Sequence, residues 1–164
     1  MEKKDSKELD TSTWATVIYN GDTYLVNPLY IGPVGIQEAK TIADGYGCEL
    51  PSPGLVDAIF KQADCRLNAL EFVRQHNGTP ATMSSLKVLQ EQQEHIRNSL
   101  GQWILANGPF QLSAGYGKDV VISNGTLGIY GWHRLNGKPI QPFYGKHSTS
   151  WKDYSQLLRL VKKI

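Results

Sequence analysis

The sequence predicts an α+β fold: an N-terminal β-hairpin, a helical middle and a C-terminal antiparallel sheet. Three observations carry this. Asn-Gly pairs at 20–21 and 124–125 interrupt alternating apolar runs, the strongest short-range hairpin signal. Apolar residues recur at helical spacing through the middle of the chain. Beyond Asn107-Gly108-Pro109 the pattern changes to short strands divided by turns.

Taken in order, residues 1–12 read as a charged, mobile arm, and 13–164 as one α+β domain. Strands are expected near 14–19 and 22–26 around a type I′ turn at Asn20-Gly21. Trp14, Thr16 and Ile18 would then share one face, and Ala15, Val17 and Tyr19 the other. Val34 to Tyr46 has Ile36, Ala39, Ile42 and Ala43 at helical spacing, closed by Gly45 and Gly47. Ser52-Pro53 supplies N-cap and first-turn chemistry for a helix from Gly54 to about Ala63, and Leu67 to Gln75 reads as a second short helix. Ser84 or Ser85 caps the longest helix, about Leu86 to Leu105. Its expected apolar stripe is Leu86, Leu89, Ile96, Leu100 and Trp103; Gln90, Glu91, Gln92, Glu94 and Arg97 fill the wet face, with a partly buried His95 beside the stripe.

In the last third, strands at 119–123 and 127–132 flank Asn124-Gly125, and a further turn falls at Asn136-Gly137. Ile140 to Phe143 forms a return strand that Pro139 and Pro142 restrict to an edge. Leu157 to Val161 closes the chain as a strand or short helix. Asn77-Gly78-Thr79 and Asn124-Gly125-Thr126 match the glycosylation pattern and are read as turns.

Composition narrows the function classes. The chain has 164 residues, 40% hydrophobic and 20% charged, enough for a core without covalent staples. A net charge of +2, with no basic stripe interleaved with aromatics, argues against nucleic acid as partner. No run approaches the roughly 20 apolar residues of a membrane span. The opening residues show no apolar signal segment, so the expectation is a cytoplasmic protein as synthesised, released by lysis, leaderless export or incorporation into a virion. Cys48 and Cys65 read as free, buried thiols; Cys48 has no base nearby to make it a nucleophile.

Chemistry-bearing side chains concentrate in Ala114 to Val161, which holds two of the four histidines and two of the four tryptophans. Pairing across Asn124-Gly125 sets Asp119 and His133 at one open end of the hairpin, with His147, Asp153 and Ser155 in following loops. Loops on a rigid sheet are where catalytic groups tend to sit. Two mechanisms fit. A histidine base oriented by an aspartate activates a serine such as Ser155, or a water. Alternatively His133, His147 and Asp119 hold a zinc ion with an open position for water. Both require these groups to face one pocket. Against them, His133 beside Tyr130 and Trp132 also reads as a packing residue, and His147 as a solvent-exposed one. No Cys-x-x-Cys, His-Glu-x-x-His or phosphate-loop motif is present.

Tyr130-Gly131-Trp132-His133, Gly137-Lys138-Pro139-Ile140-Gln141-Pro142, His147 and Asp153-Tyr154-Ser155 together resemble a family of small bacterial and phage proteins and C-terminal domains with a YGWH…GxPIQP…H…DYS signature. The segment Leu50 to Ile59 resembles the same family's upstream helix entry, so the resemblance spans about residues 45 to 161. It implies a cell-envelope association and a hydrolase acting on peptidoglycan or peptides. In that pattern histidines stand where this chain has Tyr116 and Gln156. Tyrosine can ligate a metal or donate a proton, whereas glutamine cannot act as a base, which weakens the enzyme reading for this chain. The expected function is therefore a cell-wall or peptide hydrolase with catalytic candidates His133, His147, Asp153, Asp119 and Ser155. The alternative is a noncatalytic virion or envelope module that meets protein partners through its aromatic C-terminal loops.

Overall fold

The computed structural model describes residues 9–67 and 85–164. The expected short helix at 67–75, the turn at 77–79 and most of the N-terminal arm lie outside the described residues. What is described is α+β, as the sequence implies.

β1 (Ala15–Tyr19) and β2 (Asp22–Val26) form the first hairpin. Asn20 and Gly21 have φ of 52° and 78°, as a type I′ turn demands. Val17 points inward and is fully buried, while Ile18 is exposed. α1 (Ile36–Gly45) begins at Gly35, whose N–H donates to the Glu38 carboxylate, and ends at Tyr46 before Gly47 at φ 64°. α2 (Pro53–Gln62) is capped by Ser52 Oγ, which accepts from Leu55 N at 3.2 Å.

β3 (Cys65–Arg66) pairs in parallel with β4 (Ser113–Ala114). Between them runs α3 (Leu86–Asn107), capped by Ser85 and stopped at Gly108 with φ 82°. β5 (Lys118–Ser123) and β6 (Thr126–His133) form the second hairpin, in register Asp119↔Tyr130. β7 (Pro139–Tyr144) is an edge strand on β6, as its prolines require.

Two expectations are corrected, the first at the chain's end. Leu157 to Val161 is not one element. It divides into β8 (Gln156–Leu157), parallel to β5, and β9 (Val161–Lys163), antiparallel to β2, so the C-terminal sheet β7-β6-β5-β8 is mixed. Between them Leu158 bridges Ile31, and Val161 also bridges Glu49. Residues 153–161 are buried throughout, so this segment ties both sheets together.

The second correction concerns α3. Its buried face is Val88, Gln92 and Ile96, whereas Leu86 is 69% exposed. Val88 packs with Trp132 and Tyr154, and Ile96 with Tyr116 and Leu157, so the helix is rotated to favour these two anchors and carries Gln92 inward between them. His95 is exposed, with its ring nitrogen 3.4 Å from Ser99 Oγ. The main core has two parts. α1 packs over Val120, Ile129, Leu158 and Leu160, and α2 packs between the first hairpin and Leu112, Ala114 and Val161. Cys48 and Cys65 are buried free thiols, that of Cys65 pushed up to about 11 by burial and then by Asp64.

Candidate functional site

The site is built by an irregularity in β6. Residues an odd number apart on a regular strand point to opposite faces. Tyr130 and His133 are three apart, yet both reach the same carboxylate. The strand register shifts between Ile129 and Gly131, and Gly131 and Trp132 take φ of 108° and 56°. A tryptophan in the left-handed region is costly. Trp132 is held there by burial against Val88 and Tyr154, its ring 5.9 Å from the tyrosine's in an edge-on contact. The bulge re-aims the strand's last residues, as such irregularities do beside functional sites.

The carboxylate is Asp57, in the middle of α2. Its neighbours Leu55, Val56, Ile59 and Phe60 are buried against the core, which fixes the helix and holds Asp57 at the boundary with solvent. His133 Nε2 lies 2.6 Å from Asp57 Oδ1, and Tyr130 Oη donates to the same oxygen at 2.7 Å. Phe60 stacks on the imidazole with centroids 4.8 Å apart. The His133 side chain is 4% exposed and that of Asp57 43%, so the pair is dry at the histidine and open at the acid. A carboxylate can only accept, so Nε2 carries the hydrogen and Nδ1 is left as the nitrogen able to take a proton. The Tyr130 hydroxyl is held well above its usual range, by burial first and then by Asp57, and stays a donor. A cleft of about 170 Å³ opens here, lined by Asp57, Lys61, Tyr130, His133, the turn residue Gly137 and Pro139 at the start of β7.

The other sequence-derived candidates lie elsewhere: none of His147, Asp119, Asp153 or Ser155 lines this cleft. Asp119 is buried. Its Oδ1 accepts from Tyr30 Oη at 2.7 Å, while Oδ2 has no hydrogen-bond partner among the described residues. Burial raises its pKa to about 7, against the opposing pull of Arg159 and of the Tyr30 hydrogen bond. Arg159, also buried, donates to the carbonyls of Asn27 and Ser113 and lies 3.8 Å over the Tyr30 ring.

Asp153 is fully buried. It pairs with Lys118 Nζ at 2.9 Å and accepts from Ser155 N, Ser155 Oγ and Trp151 Nε1. Ser155 therefore spends its hydroxyl hydrogen on Asp153. His147 is half-buried, stacked on Trp151 at 4.8 Å and beside Tyr144 at 4.6 Å. Burial lowers its pKa, helped by Lys118 and opposed by Asp153. Tyr116 and Gln156 are structural here: the tyrosine hydroxyl meets Ser113 Oγ at 2.7 Å, and Gln156 Nε2 donates to the carbonyls of Val34 and Trp151. Among the described residues, no three of the histidines, cysteines and acids converge as a metal ion would need, and His133, His147 and Asp119 are not brought together.

Asp57 is the candidate site residue that sequence reasoning missed. The signal was an acid set inside an apolar helical run, Leu55-Val56-Asp57-Ala58-Ile59-Phe60, where burial of a lone carboxylate is costly without a partner. Among the described residues no helix is long and apolar enough to cross a membrane. Comparisons with protein-family models, curated proteins and solved structures found no match to this chain.

Proposed function

We propose that the protein is a hydrolase of the peptide or cell-wall class, in which His133, oriented by Asp57, activates water in the cleft between α2 and the β6–β7 turn. The observation that carries this reading is the 2.6 Å contact between a buried imidazole and a half-exposed carboxylate at the wall of an open cleft. His133 Nδ1 takes a proton from water as its oxygen attacks the scissile carbonyl. The imidazolium that forms is stabilised by the Asp57 carboxylate and then returns the proton to the leaving amine. Lys61, on the same cleft, brings positive charge toward the oxyanion. Among the described residues that line the cleft there is no serine or cysteine, which favours water as nucleophile. The linked motifs around Tyr130–His133 and Asp153–Ser155, with their resemblance to bacterial and phage proteins, direct the substrate toward peptidoglycan or peptides.

The test is hydrolysis of purified peptidoglycan and of a pooled peptide substrate by the wild type, His133→Ala and Asp57→Asn. The expected loss is about 10²–10⁴-fold in rate for each variant, at unchanged thermal unfolding. Equal rates in all three, or no hydrolysis by the wild type, would remove the reading.

A noncatalytic role is favoured by a different feature. Phe143 and Tyr144 are 39% and 40% exposed on the edge strand, and Tyr144 adjoins the His147–Trp151 stack. Exposed aromatics of this kind suit a protein contact, and a virion or envelope module would use them so.

A further inference from the structure

An unpaired sheet edge is a template for another strand, and folded chains blunt it with prolines, lysines or short strands. The edges here follow that rule with one exception. β7 carries Pro139 and Pro142, while β3, β4 and β8 are two residues each. β9 presents exposed Lys162 and Lys163 and is bridged at Val161 by Glu49. β1 is the exception. It is the outer strand of β1-β2-β9, its sequence Ala-Thr-Val-Ile-Tyr holds neither proline nor charge, and Ile18 is 65% exposed on it.

What meets this edge is a side chain. Gln62, the last residue of α2, accepts the Ile18 N–H on Oε1 at 3.1 Å and donates from Nε2 to the Ile18 carbonyl at 2.9 Å. The side-chain amide offers an acceptor and a donor side by side, so it reproduces the two bonds that a residue of a neighbouring strand would exchange there. Thr16, two residues back, turns its peptide groups the same way as Ile18. Trp14 is closed, because its N–H donates to the Thr11 carbonyl at 3.1 Å. The pairing edge is therefore Thr16 and Ile18, with Ile18 covered by Gln62. Gln62 and Ile18 are both exposed, whereas Ile59 and Phe60 hold α2 in the core, so the amide can swing away while the helix stays seated.

We propose that Gln62 is a latch on this edge, and that its release lets β1 pair antiparallel with β1 of a second copy of the chain. The occupant follows from symmetry. Thr16 and Ile18 flank Val17 equally, so a two-fold axis at Val17 sets Thr16 of each copy opposite Ile18 of the other, and each pair exchanges both of its N–H···O bonds. Both side chains are β-branched, which suits cross-strand contact, and β1 has no charge to repel its own copy. Neither β1 nor Gln62 lines the His133 cleft, so the latch stands apart from the proposed hydrolysis.

The experiment is the mass of the full chain in solution, by light scattering over a concentration series, for the wild type, Gln62→Ala and Gln62→Ala with Thr16→Pro. The wild type is expected at the mass of one chain. Gln62→Ala should rise with concentration to the mass of two, with the Thr16 and Ile18 amides exchanging hydrogen more slowly in the dimer than in the dilute protein. Thr16→Pro removes an outward N–H, leaves the ladder to β2 intact and should return the variant to one chain. Gln62→Ser, too short to span both groups of Ile18, repeats the test with a polar helix end. A wild type that already dimerises overturns the proposal, as do Gln62 variants that both stay monomeric at every concentration. A dimer that survives Thr16→Pro also overturns it, and so do masses beyond two chains, since pairing about Val17 is closed.

Discussion

Asp57 and His133 stand 76 residues apart in the chain and meet at 2.6 Å, the acid presented by a helix and the imidazole by the end of a strand. Because Tyr130 donates to the same Asp57 oxygen, the carboxylate is held from two sides. In the proposed mechanism its role is to orient His133, so its two donors should not be equivalent in a rate assay. Tyr130→Phe removes one hydrogen bond but leaves the imidazole paired, and the expected loss is at most about tenfold. Asp57→Asn should cost at least ten times more than Tyr130→Phe. Steady-state rates on the same substrate decide it: equal losses would mean that Asp57 does not act through His133.

The buried Asp119 gives the protein a pH-dependent stability. Its pKa lies near 7 in the fold and near 3.8 when solvated, so between these values the folded chain binds more protons than the unfolded one. This group's contribution to stability is then greatest below about pH 4 and is lost as pH rises toward 7, a change on the order of a few kcal/mol. Tyr30 and Arg159 face it, and both are shifted upward, so neither titrates in that window. Asp119→Asn keeps an acceptor for Tyr30 and should flatten the slope. Urea unfolding at pH 4.5 and 7.5 measures it, and an unchanged slope in the variant would assign the effect elsewhere.

For Asp153 the expected phenotype is loss of fold. Four donors converge on it, and Lys118 is its buried counter-ion. Removing one member of such a pair leaves a charge stranded, at a cost of about 3–5 kcal/mol. Lys118→Met and Asp153→Ala should each lower the unfolding free energy by that amount, read from the shift in the urea midpoint. A variant that stays fully stable yet loses activity would return Asp153 to the catalytic candidates.

Gln92 offers the opposite case. It is 1% exposed, and neither amide atom has a hydrogen-bond partner among the described residues. Gln92→Leu has similar volume and removes an unsatisfied group, so it should stabilise the protein by about 1–3 kcal/mol in chemical denaturation.

These cases mark where sequence was informative. Both Asn-Gly hairpins, the Ser52 and Ser85 caps and the Gly108 stop are local, each fixed by a residue or two, and the structure follows them. Gln92 was misplaced because its polarity outweighed a face set by Val88 and Ile96, eight residues apart, whose partners are far away in the chain. The site failed to show for a related reason. Alternation along β6 sends Tyr130 and His133 to opposite faces, and only the bulge at Gly131-Trp132 reverses that. Asp119 was chosen as partner because it is close in register, yet its side chain is occupied by Tyr30.

The bulge therefore makes the sharpest prediction for positioning. Gly131 has φ 108°, where an L side chain is strained, and a Cβ there would sit 3.1 Å from Val56 Cγ1 and 3.5 Å from His133 Cε1. Gly131→Ala must either push α2 away or flatten the bulge. Either response separates His133 from Asp57, although neither side chain has been altered. The expected result is a fall in kcat of about 10²-fold or more, from a displacement on the order of 1 Å, with little change in KM because the cleft's rim at Lys61 and Gly137 is untouched. The His133 ring protons should shift in the NMR spectrum in parallel. A Gly131→Ala protein with wild-type kcat and unshifted His133 resonances would show that the bulge is not what aligns the pair.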